Sequence, residues 1–154
     1  PAPTETPAPS ASPRPRTDRR AQLRHRRQER RVDRMVRVAR GQVGEPYRLG
    51  AQGPTVFDCS GLVWFAFRAA HIARWIGGSR RSAEGYEAWG RAHDRFFSRK
   101  DPRRGDLVFW GGGTHIGIYL GGGRVISAVR RGVRIHRLRD FSAPYTGFVR
   151  VRPG

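Results

Sequence analysis

With 154 residues, a single Cys and a formal charge of +19, the chain is long enough for one domain and a tail, and too poor in cysteine for an internal disulfide or a multi-cysteine metal site. No apolar run approaches the roughly 18 residues that a membrane span needs, which sets membrane-spanning roles aside. Residues 1–43 hold 12 Arg against four acids and the remainder 19 basic against eight acidic residues, so the whole surface favours polyanions: nucleic acid, anionic lipid or phosphate-rich wall polymers.

In chain order, residues 1–16 are rich in Pro, Ala, Ser and Thr and read as a disordered, extended linker. The chain begins with Pro and lacks an initiator Met, so the expectation is that a leader has already been removed. Residues 17–44 read as a helix that Thr17 or Asp18 can cap and Gly44 can end, with Val32, Met35, Val36, Ala39 and Val43 on one face. Its first half, 17–31, offers only Ala21 and Leu23 for burial and is expected to be a charged, frayed extension. All four Trp, eight Phe and four Tyr lie beyond residue 43, so the core belongs to about 110 residues, and the folded domain is taken as 32–154.

Residues 57–70 predict a second, mostly buried helix with Asp58 as N-cap, Cys59 in the first turn and His71 at its end. A loop and a short helix follow in "GGSRRSAEGYEAWG", then a polar loop through "SRKDPRRG". Beyond it, "DLVFW", "HIGIYL", "RVISAV", "GVRIHRL" and "GFVRV" predict about five strands separated by Gly-rich turns. Helices first and strands later, without βαβ alternation, indicate an α+β fold with helices packed on an antiparallel sheet.

The lone thiol sits where a helix begins, and unpaired amides there stabilise a thiolate and can hold an oxyanion. The same placement suits a small buried core residue. Of the five histidines, His25 lies in the charged arm, His93 in a polar loop and His71 nearly three turns from the thiol. His115 follows the flexible "GGGT" at a strand start, where it is either a general base or a polar strand opening; His136 lies on another strand.

The stretches "GEPYRLGAQGPTVFDCSGLVWFAFRAAHI", "RRGDLVFW" and "HIGIYLGGGRVISA" resemble, in order and spacing over roughly 32–151, the NlpC-type cell-wall peptidases, papain-like cysteine peptidases that cut peptidoglycan stem peptides. The resemblance implies a cysteine endopeptidase with Cys59 as nucleophile and His115 as base, acting through a thioester without metal or organic cofactor. It implies that Tyr47 lines the oxyanion site and that Asp58 and Ser60 contact a substrate amine. Arg80 and Ser82 match a family Arg-x-Ser pattern, with Gly85 where that pattern has Gln, and Asp106 matches a structural acid. Twelve residues after His115, where the family places His, Asn or Gln to orient the imidazole, stands Ser127, with His136 as a substitute. The implied partners are peptidoglycan stem peptides and, by charge, anionic wall polymers, at a secreted or wall-associated location. A non-catalytic wall-binding module with a degraded triad is the alternative. Binding to nucleic acid rests on charge alone, without a recognised motif.

Overall fold

The computed structural model describes residues 2–8 and 15–154. Of the expected linker 1–16, residues 1 and 9–14 lie outside the described residues, and 2–8 are exposed without helix or strand. Helix α1, Arg16–Arg40, buries Val32, Met35, Val36 and Ala39, the stripe that its 3.6-residue period predicts.

Both expected ends of α1 move. The N-cap is Pro15, which makes no side-chain cap, and Asp18 falls inside the first turn where its charge suits the helix dipole. Gly41 is the C-cap, and Gly44, at φ +94°, lies in the turns beyond and donates its N–H to Val133 O. Val43 therefore leaves the helical stripe and is exposed. The first half of α1 is regular helix although Leu23 is exposed. Near its middle, Gln28 donates to Pro153 O at 2.9 Å, and Glu29 and Asp33 pair with Arg152 and Arg104.

Helix α2, Cys59–Ala69, buries Leu62, Val63, Ala66 and Phe67 against α1 and the sheet; Leu62, Val63 and Phe67 each contribute about 1.5–3 kcal/mol by leaving water. Ala70, not His71, is its C-cap. A 3₁₀ turn, Ala73–Ile76, precedes helix α3, Ala83–Ala92, which starts where the Ser82 hydroxyl accepts the Gly85 N–H at 3.0 Å.

Six strands follow: β1 Phe96–Phe97, β2 Leu107–Trp110, β3 His115–Gly121, β4 Arg124–Val129, β5 Gly132–Arg137 and β6 Tyr145–Val149. They form one antiparallel sheet in the order β1-β6-β2-β3-β4-β5. The α+β class is the expected one; the strand beyond the expected five is β1. It spans two residues, too short to show an alternation, and exists by pairing Phe96 with Val149 and Phe97 with Phe148.

Strand alternation divides the sheet into two faces. Leu107, Phe109, Ile116, Ile118, Ile126, Ala128 and Val149 join α1 and α2 in the main core. Val108, Trp110, Val125 and Phe148 face the other way, under Phe97, Tyr119, Leu138, Phe141, Ala143 and Tyr145. Asp106, fully buried ahead of β2, accepts from the Arg103 N–H at 2.8 Å and from Arg150 Nε at 3.0 Å, tying that strand start to the end of β6. This is the structural role that the resemblance implied.

Candidate active site

Asp58 organises the first half of the site. Its Oδ1 accepts the Gly61 N–H at 2.6 Å, the N-cap bond, together with the Ser60 hydroxyl at 3.1 Å and Arg80 Nη2 at 2.9 Å; Oδ2 accepts the Gly50 N–H at 2.8 Å. One carboxylate thus fixes the start of α2, the preceding loop and Arg80. Gly61 has its own reason: a Cβ there would stand 1.9 Å from Ala51 O, so only glycine lets the helix start against that loop. The loop also brings in Tyr47, held by a backbone bridge to Phe57.

Cys59 is half-buried. Its thiol is pushed up, first by burial and then by the Asp58 charge, while the Ile116, Ser60 and Cys59 N–H groups pull the other way. The lowering expected from a helix N-terminus is present and is outweighed. The Tyr47 phenol is also raised, by burial and then by the Cys59 and Asp58 charges, with Arg130 opposing, which puts Tyr47 near the thiol and Arg130 near Tyr47.

The second half comes from the sheet. Gly111, Gly112 and Gly113, at φ +60°, +67° and +92°, turn the chain between β2 and β3 through conformations that L side chains rarely adopt. The turn delivers His115 as the first residue of β3, opposite Trp110. The N–H of Ile116, the next residue, is near enough to draw the Cys59 thiol down, so thiol and imidazole belong to neighbouring points of the helix–sheet seam. The His115 ring stacks on Phe141 at 4.4 Å, tilts against Trp110 at 5.4 Å and is only 9% exposed. Burial, then the nearby His136, lower its pKa to about 4. Both shifts favour the neutral forms, thiol and imidazole.

Ser127 is on β4 and fully buried, on the His115 face of the sheet. Its Oγ lies 2.7 Å from His136 Nε2 on β5, and His136 Nδ1 lies 3.0 Å from Arg137 O. His115 Nε2 is buried without any hydrogen-bond partner. The serine expected to receive the base's N–H is bonded instead to the histidine that the sequence offered as its substitute.

Of the residues expected at the site, Tyr47, Asp58, Cys59, Ser60 and Arg80 are brought together around the start of α2. His115 comes near that group through its neighbour Ile116, Ser127 lies on the His115 face of the sheet bonded to His136, and Ser82 serves as the α3 cap. Sequence reasoning missed Phe141, Gly50 and Arg130. Phe141 follows a 3₁₀ turn, Leu138–Asp140, and no local periodicity marks it. Beside it opens a cavity of about 650 Å³ lined by Arg130, Arg131, Arg134, His136 and Phe141 among others. A second cavity, of about 470 Å³, is lined by Lys100, Arg124, Arg137, Arg139 and Tyr145 and includes none of the expected site residues. Among the described residues, no helix is long and apolar enough to cross a membrane and no cluster of three or more His, Cys, Asp or Glu is placed to hold a metal.

A cysteine at the head of a buried helix, laid against an antiparallel sheet that begins a strand with histidine, defines a papain-like α+β thiol fold. The chain belongs to the NlpC/P60 family, whose model matches residues 44–150. It is 36% identical over 118 residues, 73% of this chain and 21% of the other, to the "Probable endopeptidase p60" of Listeria grayi. Over 104 residues it is 37% identical to the "Bifunctional muramidase/DL-endopeptidase CwlT" of Bacillus subtilis, covering 63% of this chain and 29% of that one. The chain thus spans between a fifth and a third of the length of these two relatives. Among solved structures, the peptidoglycan hydrolase RipB of Mycobacterium tuberculosis superposes with a TM-score of 0.65 at 27% identity, over 94% of this chain and 74% of that one.

Proposed function

We propose that this chain is the catalytic unit of a cysteine endopeptidase that hydrolyses amide bonds in peptidoglycan stem peptides. The observation that carries the reading is the Cys59 thiol at the α2 N-terminus, within the influence of the amide that follows His115. Because both groups rest neutral, His115 must take the thiol proton as sulfur attacks the substrate carbonyl. The oxyanion is received by backbone N–H groups at the start of α2, helped by the Tyr47 hydroxyl. The imidazolium then protonates the leaving amine, leaving a thioester on Cys59, and water attacks that thioester with His115 again as base. These steps use no metal or organic cofactor.

Substrate contacts follow from the same geometry. The Asp58 carboxylate already accepts four hydrogen bonds, so a substrate amine reaching it displaces Arg80, and Ser60 retains lone pairs for that amine. The arginines beside Phe141 suit the carboxylates of stem peptides. The separate cavity of Lys100, Arg124, Arg137 and Arg139 suits phosphate groups of anionic wall polymers. Together these support work in the cell wall, outside the membrane. The domain division proposed is a linker to residue 16, a helical arm 17–31 and the catalytic unit 32–154.

The test is release of peptide fragments from purified peptidoglycan, read by mass spectrometry. Wild type is expected to release them and Cys59→Ala to release none. A second reading, a wall-binding module without turnover, is favoured by the unpartnered His115 Nε2; equal wall binding with no release by either protein would establish it instead.

A further inference from the structure

His115, Ser127 and His136 sit on one face of three consecutive strands, yet their hydrogen bonds stop one short of a chain. Ser127 pairs across the sheet with Arg134, and His136, two residues further along β5, is its diagonal neighbour on the same face. Phe141 stacks on His115 at 4.4 Å and lies 5.8 Å from His136, while Trp110 lies 5.4 Å and 5.7 Å from the two imidazoles. Neither ring is free to turn without breaking this packing.

The direction of the protons follows from the far end. The Arg137 carbonyl can only accept, so His136 Nδ1 carries the proton in the bond of 3.0 Å. With the ring neutral, Nε2 then holds a lone pair, and the bond of 2.7 Å must be donated by the Ser127 hydroxyl. Its proton committed to His136, Ser127 Oγ offers only lone pairs to anything else. Of the three side chains, His115 still lacks a partner at its buried Nε2.

We propose that His136 is a positioning residue for the general base: by holding the Ser127 proton, it makes Ser127 an obligate acceptor for the His115 Nε2–H through one bridging water. A proton kept on Nε2 leaves the Nδ1 lone pair of His115 free to take the proton of Cys59. A lone serine cannot impose this, because its hydroxyl donates as readily as it accepts and either tautomer of His115 would satisfy it. His136 therefore does not replace the missing family residue at position 127; it acts through the serine that stands there. The inference rests on the peptidase reading, with Cys59 as nucleophile and His115 as base.

The experiment compares His136→Leu, His136→Gln, Ser127→Ala and the double variant Ser127→Ala/His136→Leu on a synthetic stem peptide. Each is first checked for a native circular-dichroism spectrum. His136→Leu and Ser127→Ala are each expected to lower kcat about tenfold with KM unmoved, and the double variant to be no worse than either alone. His136→Gln, whose Oε1 still accepts the hydroxyl proton, is expected to recover most of the loss. Additive losses, a Gln variant no better than Leu, or a His136→Leu variant as fast as wild type would overturn the proposal. Nitrogen NMR of the His115 ring reads its tautomer without turnover: Nε2–H is expected in wild type and a mixture in His136→Leu, and an unchanged tautomer would also overturn the proposal. Activity surviving in Cys59→Ala would instead overturn the parent reading, and is recognised separately.

Discussion

The two faces of the sheet are built to different ends. Toward the helices, aliphatic and aromatic side chains of α1, α2 and five strands close one continuous core. On the opposite face a smaller cluster of rings sets His115 and His136 among Trp110 and Phe141. The first face makes the fold stable and holds α2, and so Cys59, in place. The second holds the imidazoles at a cost: a histidine with 9% exposure is difficult to protonate, and its Nε2 has no partner. The comparison teaches that the apolar core lies on the helix face and the imidazoles on the other, with Cys59 coming near His115 only at the seam where α2 and β3 begin.

The sharpest way to break that division is to damage only the helix side. Phe67 on α2 is fully buried. Phe67→Ala is expected to destabilise the protein by about 4 kcal/mol, from lost transfer energy plus the cavity left behind. Urea unfolding reads the loss, while kcat measured on the folded fraction should stay near wild type. A parallel collapse of kcat and stability would mean that the two faces are not separable.

The next effect concerns His115 itself. Its folded pKa of about 4 lies below the ordinary 6.5, so the unfolded chain binds this proton first. Stability is therefore expected to fall as pH drops from 6.5 toward 4, by about 3 kcal/mol at most from this one group. Burial raises the Asp106 carboxyl, which acts in the opposite sense, so the informative quantity is the difference between wild type and His115→Gln across that window. The difference should change across that window and be flat below pH 4 and above 6.5. The acid limb of kcat/KM is likewise expected near pH 4, where the base becomes protonated; a limb near 6.5 would show that substrate relieves the burial.

The parts of this arrangement that could be read from sequence are those set by neighbouring residues. Capping is local chemistry, so Asp58 announces the start of α2 three residues before its partner Gly61, and the Gly-rich turns announce β3 to β5. Burial and register are not local. The amides near Cys59 are legible, but the desolvation that outweighs them depends on the sheet packed over the helix. Ser127 could be found by spacing, whereas its bond to His136 depends on which residues the β4–β5 register sets diagonally. β1 was invisible because two phenylalanines between polar neighbours make a strand only when β6 lies alongside.

A smaller expected change tests the ring face. Phe141 is half-buried, so Phe141→Ala should remove only about 1 kcal/mol of stability. It also removes the ring stacked on His115 at 4.4 Å, and turnover of a stem peptide is expected to fall about tenfold through loss of imidazole orientation. Phe141→Tyr keeps the ring and should keep the rate. If Phe141→Ala lowers stability by several kcal/mol and leaves turnover intact, the ring face is a second core and nothing more.

The smallest effect is expected where the charged arm meets the domain. Glu29 on α1 pairs with Arg152 near the C-terminus, beside the Gln28 bond to Pro153 O. Glu29 is 38% exposed at its side chain, and pairs of this kind contribute at most about 1 kcal/mol. Glu29→Ala should lower the melting temperature by a few degrees at low salt and by less at high salt, because screening already weakens the pair. It lies on neither face of the sheet, so kcat, KM and the His115 tautomer should all be those of wild type. A change in KM for intact peptidoglycan but not for a short stem peptide would locate the arm in wall contact, and would move the functional boundary of the domain from residue 32 back toward the start of α1.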